Sequence, residues 1–158
     1  MTAARAGLAA MTAALVAGLA APSMAGEASA SAARGHDVTV TVTDLRSTKG
    51  RVIACMTPDP QSFPKCRGAA RAYRVDAPAG EALRLTFKGV KPGRYAIALL
   101  HDENGNGKAD RALGMMPKEG FGFSRDAKVR MGPPSFQDAV FPVGAANEKL
   151  TIRMRYML

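Results

Sequence analysis

The residues with the clearest chemistry lie in one short segment, residues 101–110 (HDENGNGKAD). Side chains that carry oxygen recur there at alternate positions, a pattern typical of loops that bind Ca²⁺, which prefers six to eight oxygen ligands. With Asp102 in the first ligand position, Gly107 stands at the sixth, where such loops turn sharply. The pattern therefore predicts a calcium site with these ligands: Asp102, Asn104, Asn106, Lys108 through its backbone carbonyl, Asp110 and Glu119.

The end of this segment departs from the usual calcium loop. The twelfth position, which normally holds a bidentate acid, is Leu113, so Glu119 has to supply the closing carboxylate by folding back. Asn in place of Asp at two positions lowers the ligand charge, and we expect a weak affinity of about 10⁻⁴–10⁻³ M. The same residues also fit two solvent-exposed Asn-Gly turns that bind nothing. The sequence leaves both interpretations open.

His101 supports a second hypothesis, a small periplasmic enzyme. An acid–base pair or a Ser-His-Asp arrangement would draw on the following residues: Asp102, Glu119, Ser124, Asp126 and Asp138. No nucleophile elbow or metal-hydrolase motif accompanies them. We therefore predict that the protein is not an enzyme and keep the enzyme as the alternative.

Copper handling is the other alternative for His101. Imidazole and thioether groups are soft ligands that suit copper, and Met115, Met116 and Met131 lie in the same half of the chain. Methionine is more often a packing residue, which favours the oxygen-rich segment as the metal site.

Residues 1–25 have the pattern of a secretory signal peptide. Arg5 is positive, an apolar run covers residues 8–21, and small residues precede a cleavage point after Ala25. The run is too short to span a bilayer comfortably, and no other segment approaches transmembrane length. We predict a periplasmic or secreted protein whose mature chain starts with a flexible leader at 26–35.

The two cysteines fit this compartment. Cys55 and Cys66 flank ten residues that include three prolines. In an oxidising compartment such a pair is most simply a disulfide that closes a loop.

The chain is strongly basic. It has 22 Lys and Arg against 13 Asp and Glu, and removal of Arg5 with the signal peptide leaves a net charge of +8. Such a charge favours anionic partners, here an anionic component of the cell envelope. The basic residues alternate with apolar ones, and Trp is absent, so no nucleic-acid surface is predicted. The oligomeric state is not indicated.

The elements that must position these residues are strands, because apolar residues recur with a period of two. The alternation predicts strands at 38–43, 51–56, 73–75, 83–88, 95–100, 129–131 and 150–156. A turn at 47–50 makes the first two a hairpin. The segment 95–100 is apolar almost throughout and is predicted to be a central strand.

A Pro92-Gly93 turn leads into that central strand and sharpens the fold class. Gly93 accepts the positive φ of a type II turn, and Tyr95 is placed to form a tyrosine corner. We predict an all-β domain at 36–158, a single antiparallel Greek-key β-sandwich, immunoglobulin-like or transthyretin-like. It should have about seven strands and one long loop-rich insertion.

Four motifs resemble, in order, the bacterial exported family catalogued as domain of unknown function 2141. They lie at 89–96 (GVKPGRYA), 101–108 (HDENGNGK), 117–124 (PKEGFGFS) and 132–139 (GPPSFQDA). The resemblance implies a small exported sandwich with no established activity. Ala109 and Ala112 depart from the family pattern, which commonly has Leu and Asn there. We expect a non-catalytic, calcium-stabilised accessory or binding module of the cell envelope.

Overall fold

The computed structural model describes residues 35–112 and 116–158. The predicted signal peptide lies outside the described residues, as do all but the last residue of the predicted leader and residues 113–115. Within the described part the chain is all-β, as the sequence predicts. None of the helices in that part has the length and apolar character needed to cross a membrane.

Ten strands and one short helix make up the described fold. They are β1 (His36–Thr43), β2 (Arg51–Thr57), β3 (Tyr73–Pro78), β4 (Arg84–Val90), β5 (Gly93–Asp102), β6 (Arg111–Ala112), β7 (Met116–Pro117), β8 (Gly120–Phe123), α1 (Phe136–Ala139), β9 (Phe141–Val143) and β10 (Glu148–Arg153). A single 3₁₀ turn, Ser124–Asp126, follows β8.

The smaller sheet has the strand order β10-β1-β4. Val38, Val40 and Val42 of β1 are buried, and the threonines between them are partly exposed, as the alternation predicts. β1 pairs antiparallel with β4 but parallel with β10. The sandwich is therefore not purely antiparallel, because the two ends of the domain lie side by side in this sheet.

The larger sheet has the order β3-β2-β5-β8, and β9 pairs with the first residues of β5. The inner faces of the two sheets enclose the main core, which includes Val52, Met56, Phe87 and Ile97. β5 is central, as predicted, and both of its faces are covered. Ala96 on its outer face packs in a second, smaller cluster with Phe123, Phe136 and others.

The predicted hairpin between the first two strands is wrong. β1 belongs to the smaller sheet and β2 to the larger one, so residues 44–50 cross between sheets. The two strands face the same core from opposite sides, because each has one apolar face. A connection between sheets and a hairpin turn have similar sequences, rich in Gly, Ser and charged residues.

Two smaller predictions are also wrong. Residues 129–131 form no strand; Val129 packs against the smaller cluster, and the chain continues as a loop. Gly93 does not adopt positive φ; Gly89 does, with a φ of 63°, before the turn. The tyrosine corner itself is present, since the Tyr95 hydroxyl donates to the Lys91 carbonyl at 2.9 Å.

Candidate functional site

The acidic loop, defined as residues 102–110 together with Glu119, begins at the last residue of β5. Asp102 is fully buried, and its two carboxylate oxygens accept backbone N–H groups from further along the loop. Oδ1 accepts from Asn106 at 3.1 Å and Oδ2 from Gly107 at 2.7 Å. The rigid central strand thus fixes the carboxylate around which the loop turns.

Two asparagines continue this pattern. Asn104 Oδ1 accepts the N–H of Asn106 at 3.1 Å, and Asn106 Oδ1 accepts the N–H of Lys108 at 2.7 Å. Each is an Asx turn, in which a side-chain oxygen bonds the backbone two residues on. Gly105 and Gly107, with φ of 72° and 73°, supply the left-handed conformations between the turns. The alternating oxygens therefore line the inner side of the loop.

Asp110 closes the loop. Its Oδ2 accepts from the side-chain amides of Asn104 at 2.7 Å and Asn106 at 2.9 Å. Each asparagine carbonyl has a second lone pair beyond the one that bonds the backbone. These oxygens can therefore bind a cation without giving up their turns, provided that Asp110 exchanges its two amide donors for the ion.

Glu119 returns to the loop from nine residues further along the chain. The pairing of β6 with β7 folds the chain back, and Glu119 Oε2 accepts the N–H of Asp110 at 3.2 Å. The side chain is only 5% exposed, and its other oxygen, Oε1, is buried with no hydrogen-bond partner in the described structure. A buried carboxylate oxygen without a donor is costly, and either a proton or a bound cation would offset that cost.

The electrostatics of Glu119 agree with this geometry. Burial raises the pKa of the Glu119 carboxyl above its ordinary value, and the carboxylates of Asp102 and Asp110 raise it further. The hydrogen bond from the Asp110 N–H acts on the pKa in the opposite direction. The carboxyl groups of Asp102 and Asp110 thus repel that of Glu119 at the loop, and a bound cation would relieve this repulsion.

In the conformation described, the loop is held by its own hydrogen bonds. Across residues 35–112 and 116–158, no three His, Cys, Asp or Glu side chains are grouped closely enough to hold a metal ion. The structure therefore brings the predicted side chains Asp102, Asn104, Asn106, Asp110 and Glu119 to one loop without a formed coordination shell. Lys108 enters this network through its backbone N–H.

A packed cluster supports the start of the loop. Glu103 accepts from the Ser47 hydroxyl at 2.7 Å and from Arg46 Nε at 3.0 Å, and Arg46 stacks on the Tyr156 ring at 4.5 Å. The Arg46 guanidinium holds the pKa of the Glu103 carboxyl down at about 2. Gly50 approaches so closely that a Cβ there would lie 2.0 Å from the Asp102 carbonyl oxygen.

No sequence pattern predicts four residues of this cluster: Arg46, Ser47, Gly50 and Tyr156. They come from segments more than 35 residues from the loop on either side, and no spacing links them to it. The turn at 47–50 is the one local signal, and by itself it predicts a hairpin.

His101 is a structural residue. It is fully buried, its Nδ1 lies 2.7 Å from the Tyr156 hydroxyl, and its Nε2 lies 2.9 Å from the Lys49 carbonyl oxygen. A carbonyl can only accept, so Nε2 carries a proton and donates it to Lys49. The Tyr156 oxygen in turn accepts the N–H of Arg46 at 3.2 Å. Both ring nitrogens are hydrogen-bonded and the ring is fully buried, so in the described conformation neither nitrogen faces solvent or an open metal position.

The Ser124 hydroxyl is also fully engaged in hydrogen bonds. It is fully buried, accepts the N–H of Ile97 at 2.9 Å and donates to the Ala139 carbonyl at 2.6 Å. This hydroxyl joins β5 to α1 and is not presented as a nucleophile.

The remaining acids proposed for the enzyme also have structural partners. Asp126 forms ion pairs with Arg153 at 3.3 Å and Arg155 at 2.7 Å. Asp138 forms a capping box with Ser135 at the start of α1. The described residues contain no assembled set of catalytic groups that would support the enzyme alternative.

The copper alternative has no assembled ligand set either. Met116 and Met131 are exposed on the surface, whereas His101 is buried with both ring nitrogens bonded. Met115 lies outside the described residues.

Cys55 and Cys66 are joined in a disulfide, as the sequence predicts. The bond attaches the loop at 58–72 to the outer face of the larger sheet. Phe63 of that loop packs edge-on against Phe123 and Phe136 at centroid distances of 5.9 and 6.1 Å. The disulfide therefore supports the smaller cluster, away from the acidic loop.

Comparison with known proteins identifies one family. The family described as "Uncharacterized protein conserved in bacteria (DUF2141)" matches residues 40–151, most of the described chain. No curated protein and no solved structure matches the sequence. The matched range contains both the acidic loop and the disulfide.

Proposed function

This chain belongs to the DUF2141 family, and from that premise we propose that it is an exported, non-catalytic β-sandwich stabilised by calcium. In this proposal the acidic loop binds Ca²⁺, and the rest of the domain serves as an accessory or binding module of the cell envelope. The family description gives no activity, so the proposal depends on the chemistry of the described residues.

The observation that carries the calcium proposal is the unpartnered Oε1 of Glu119. It is buried beside two further carboxyl groups, Asp102 and Asp110, and no described donor reaches it. A hard cation that prefers oxygen ligands would satisfy this atom and neutralise the cluster at the same time. The flexible, glycine-rich loop suits Ca²⁺ better than Mg²⁺, which demands a tighter octahedral shell.

The non-catalytic part of the proposal is supported by the hydrogen bonds of the candidate catalytic groups. His101 and Ser124 are buried, and each is engaged by neighbouring backbone or side-chain groups. An acid–base or nucleophilic residue needs access to substrate, and neither side chain has it.

Export is supported by two independent features. Residues 1–25 carry the signal pattern, and the disulfide between Cys55 and Cys66 is typical of oxidising compartments. Both features favour the periplasm or the extracellular medium.

The test is thermal unfolding of the exported protein in a calcium titration. Binding to the folded loop alone would stabilise the domain by about 1.4 kcal/mol when Ca²⁺ is at ten times its Kd. We expect the Tm to rise by about 4 °C for a chain of this length. Mg²⁺ should produce a smaller rise.

Two matched variants locate the effect. Asp110→Asn should abolish the calcium shift, because Asp110 is a proposed ligand. Asp59→Asn should retain it, since Asp59 forms a similar Asx turn with Gln61 and is not a proposed ligand. An unchanged Tm in the native protein, or a full shift in Asp110→Asn, would show that the loop is only a pair of Asn-Gly turns.

A further inference from the structure

Two adjoining clefts lie on the side of the molecule that carries the 3₁₀ turn and α1. Their volumes are about 550 and 470 Å³, and both are lined by Lys128 and Arg130. We call the combined surface the basic groove and define it by Arg125, Lys128, Arg130, Met131 and Met157. It is open to solvent along its length, which suits a flat or extended partner better than an enclosed small molecule.

The groove carries positive charge that the described structure does not neutralise. Lys128 and Arg130 are exposed and have no hydrogen bond or ion pair with any described residue. Arg125 is exposed and reaches only the Val140 carbonyl, at 3.3 Å. These three cations are free to contact an anionic partner.

The two carboxylates nearby cancel only part of this charge. Asp126 is already paired with Arg153 and with Arg155, which itself lines the second cleft, so this carboxylate is offset by cations other than the three named. Asp138 is hydrogen-bonded in the capping box by the hydroxyl and N–H of Ser135, and its carboxylate offsets one of the charges that Arg125 and Arg130 bring to the first cleft. The groove therefore keeps a positive potential over its surface.

Exposed apolar side chains lie among these cations. Met131 is fully exposed, Met157 is 44% exposed, and the adjacent Leu158 is 54% exposed. Among the described residues, the only other large apolar side chain that is exposed is Met116, at 40%. Surfaces that bind nucleic acid or polysaccharide usually add exposed aromatic rings to such cations, whereas Phe121 and Tyr156, the aromatic residues that line the second cleft, are only partly exposed. Cations combined with projecting apolar side chains are typical of surfaces that bind anionic lipid.

The groove is held in shape before any partner binds. Arg125 and Asp126 both have left-handed backbones, with φ of 59° and 53°, an uncommon conformation for two consecutive residues other than glycine. The strain is sustained by the ion pairs of Asp126 and by the smaller cluster, where Ala127 packs with Phe136. A preformed surface loses little conformational entropy on binding.

From these observations we infer that the basic groove docks the protein onto anionic phospholipid headgroups at a membrane surface. Lys128, Arg130 and Arg125 would contact the phosphates, and Met131 and Met157 would enter the region between headgroups and acyl chains. This inference adds a partner to the proposed function and does not depend on calcium in the acidic loop.

The experiment is co-sedimentation of the exported protein with vesicles, in the presence of a chelator. Vesicles of phosphatidylcholine alone are compared with vesicles that also contain phosphatidylglycerol. We expect binding only to the second kind, and weaker binding as salt is added. The double variant K128Q/R130Q should bind about thirtyfold more weakly, because each cation near an anionic surface contributes about a factor of five.

The matched control is R84Q/K88Q, which removes the same charge from exposed positions of β4, at the far edge of the smaller sheet. It should lose less than about threefold, because only the overall attraction changes. A second pair tests the apolar contact: Met131→Ser should weaken binding at high salt, and Met116→Ser should not.

Equal losses in the two charge variants would overturn the inference, since attraction would then be non-specific. Absence of vesicle binding would also overturn it, as would binding to an acidic polysaccharide or polyglutamate with the same dependence on Lys128 and Arg130. The chelator keeps this result separate from the calcium proposal, whose failure would appear only as an absent thermal shift.

Discussion

The acidic loop and the basic groove differ both in the sign of their charge and in its exposure to water. In the loop, a carboxylate that is 5% exposed is buried with one oxygen unpartnered, and the surrounding polar groups bond one another. In the groove, the cations of Lys128 and Arg130 are exposed and solvated, and no described residue pairs with them. The comparison shows that charge is costly only where water is excluded.

The difference has a consequence for how the two regions respond to their surroundings. The buried acids of the loop are poorly screened, so a bound ion there should be held nearly independently of added salt. The exposed cations of the groove are well screened, so binding there should weaken steadily as salt rises. The loop is suited to one small ion and the groove to an extended anionic surface.

The largest effect is expected where the loop packs against its support. Gly50→Ala places a Cβ 2.0 Å from the Asp102 carbonyl oxygen at a φ of 69°, and should cost about 3 kcal/mol or more in the free energy of unfolding. Gly105→Ala has a similar φ of 72° but meets no atom within 4 Å, and should cost about 1 kcal/mol. Urea unfolding measures both values. Equal losses would mean that the close approach at Gly50 does not constrain the loop.

The next largest effect is expected from loss of the disulfide, which lies on the same side of the molecule as the basic groove. Loss of the bond between Cys55 and Cys66 should lower the free energy of unfolding by about 3 kcal/mol, because it frees the loop that seats Phe63 on the smaller cluster. The calcium shift should survive, since the acidic loop lies elsewhere. Denaturant unfolding of the double Cys→Ala variant, with and without calcium, measures both quantities. Free thiols in the native, non-reduced protein would contradict the account.

A smaller effect is expected from the cluster beside the loop. The pKa of Glu103 is about 2 in the folded protein and 4.5 in its ordinary state, so its stabilisation is complete above pH 4.5 and is lost as pH falls towards 2. Arg46→Gln should cost about 1 kcal/mol at neutral pH, because the pair is partly screened, and should flatten this acid dependence.

The control for that variant is Arg51→Gln. Arg51 pairs with Asp76, and both side chains are about half exposed, so the change should alter stability by less than about 0.5 kcal/mol. Thermal unfolding between pH 2 and pH 7 compares the two variants. An unchanged acid dependence in Arg46→Gln would show that Glu103 is not stabilised by this pair.

The sequence predicted those features that depend on neighbouring residues. The alternation of Val and Thr in β1 identified both the strand and its buried face, and the spacing of Asp102, Asn104 and Asn106 identified a loop whose oxygens point inwards. These patterns are local, and their physical causes act over a few residues.

The features that it missed depend on contacts between distant segments. The parallel pairing of β1 with β10 joins the two ends of the domain, and no local pattern encodes it. The Tyr156 hydroxyl and the Lys49 carbonyl bond the two ring nitrogens of His101, so the catalytic candidate is a buried packing residue. The basic groove is assembled from the loop after β8 and the last residues of the chain, and for the same reason it has no motif.

The most direct test of the account is the Tm of Glu119→Gln with and without calcium. Gln keeps the size of the side chain but removes the charge that is buried beside Asp102 and Asp110. The account predicts two effects of opposite sign. Without calcium the variant should be at least as stable as the native protein, because carboxylate repulsion is relieved. With calcium at ten times the Kd of the native protein, the variant should lack the native rise of about 4 °C. A variant that is destabilised without calcium yet shows the full calcium shift would contradict the central claim that Glu119 is the closing ligand of a calcium site.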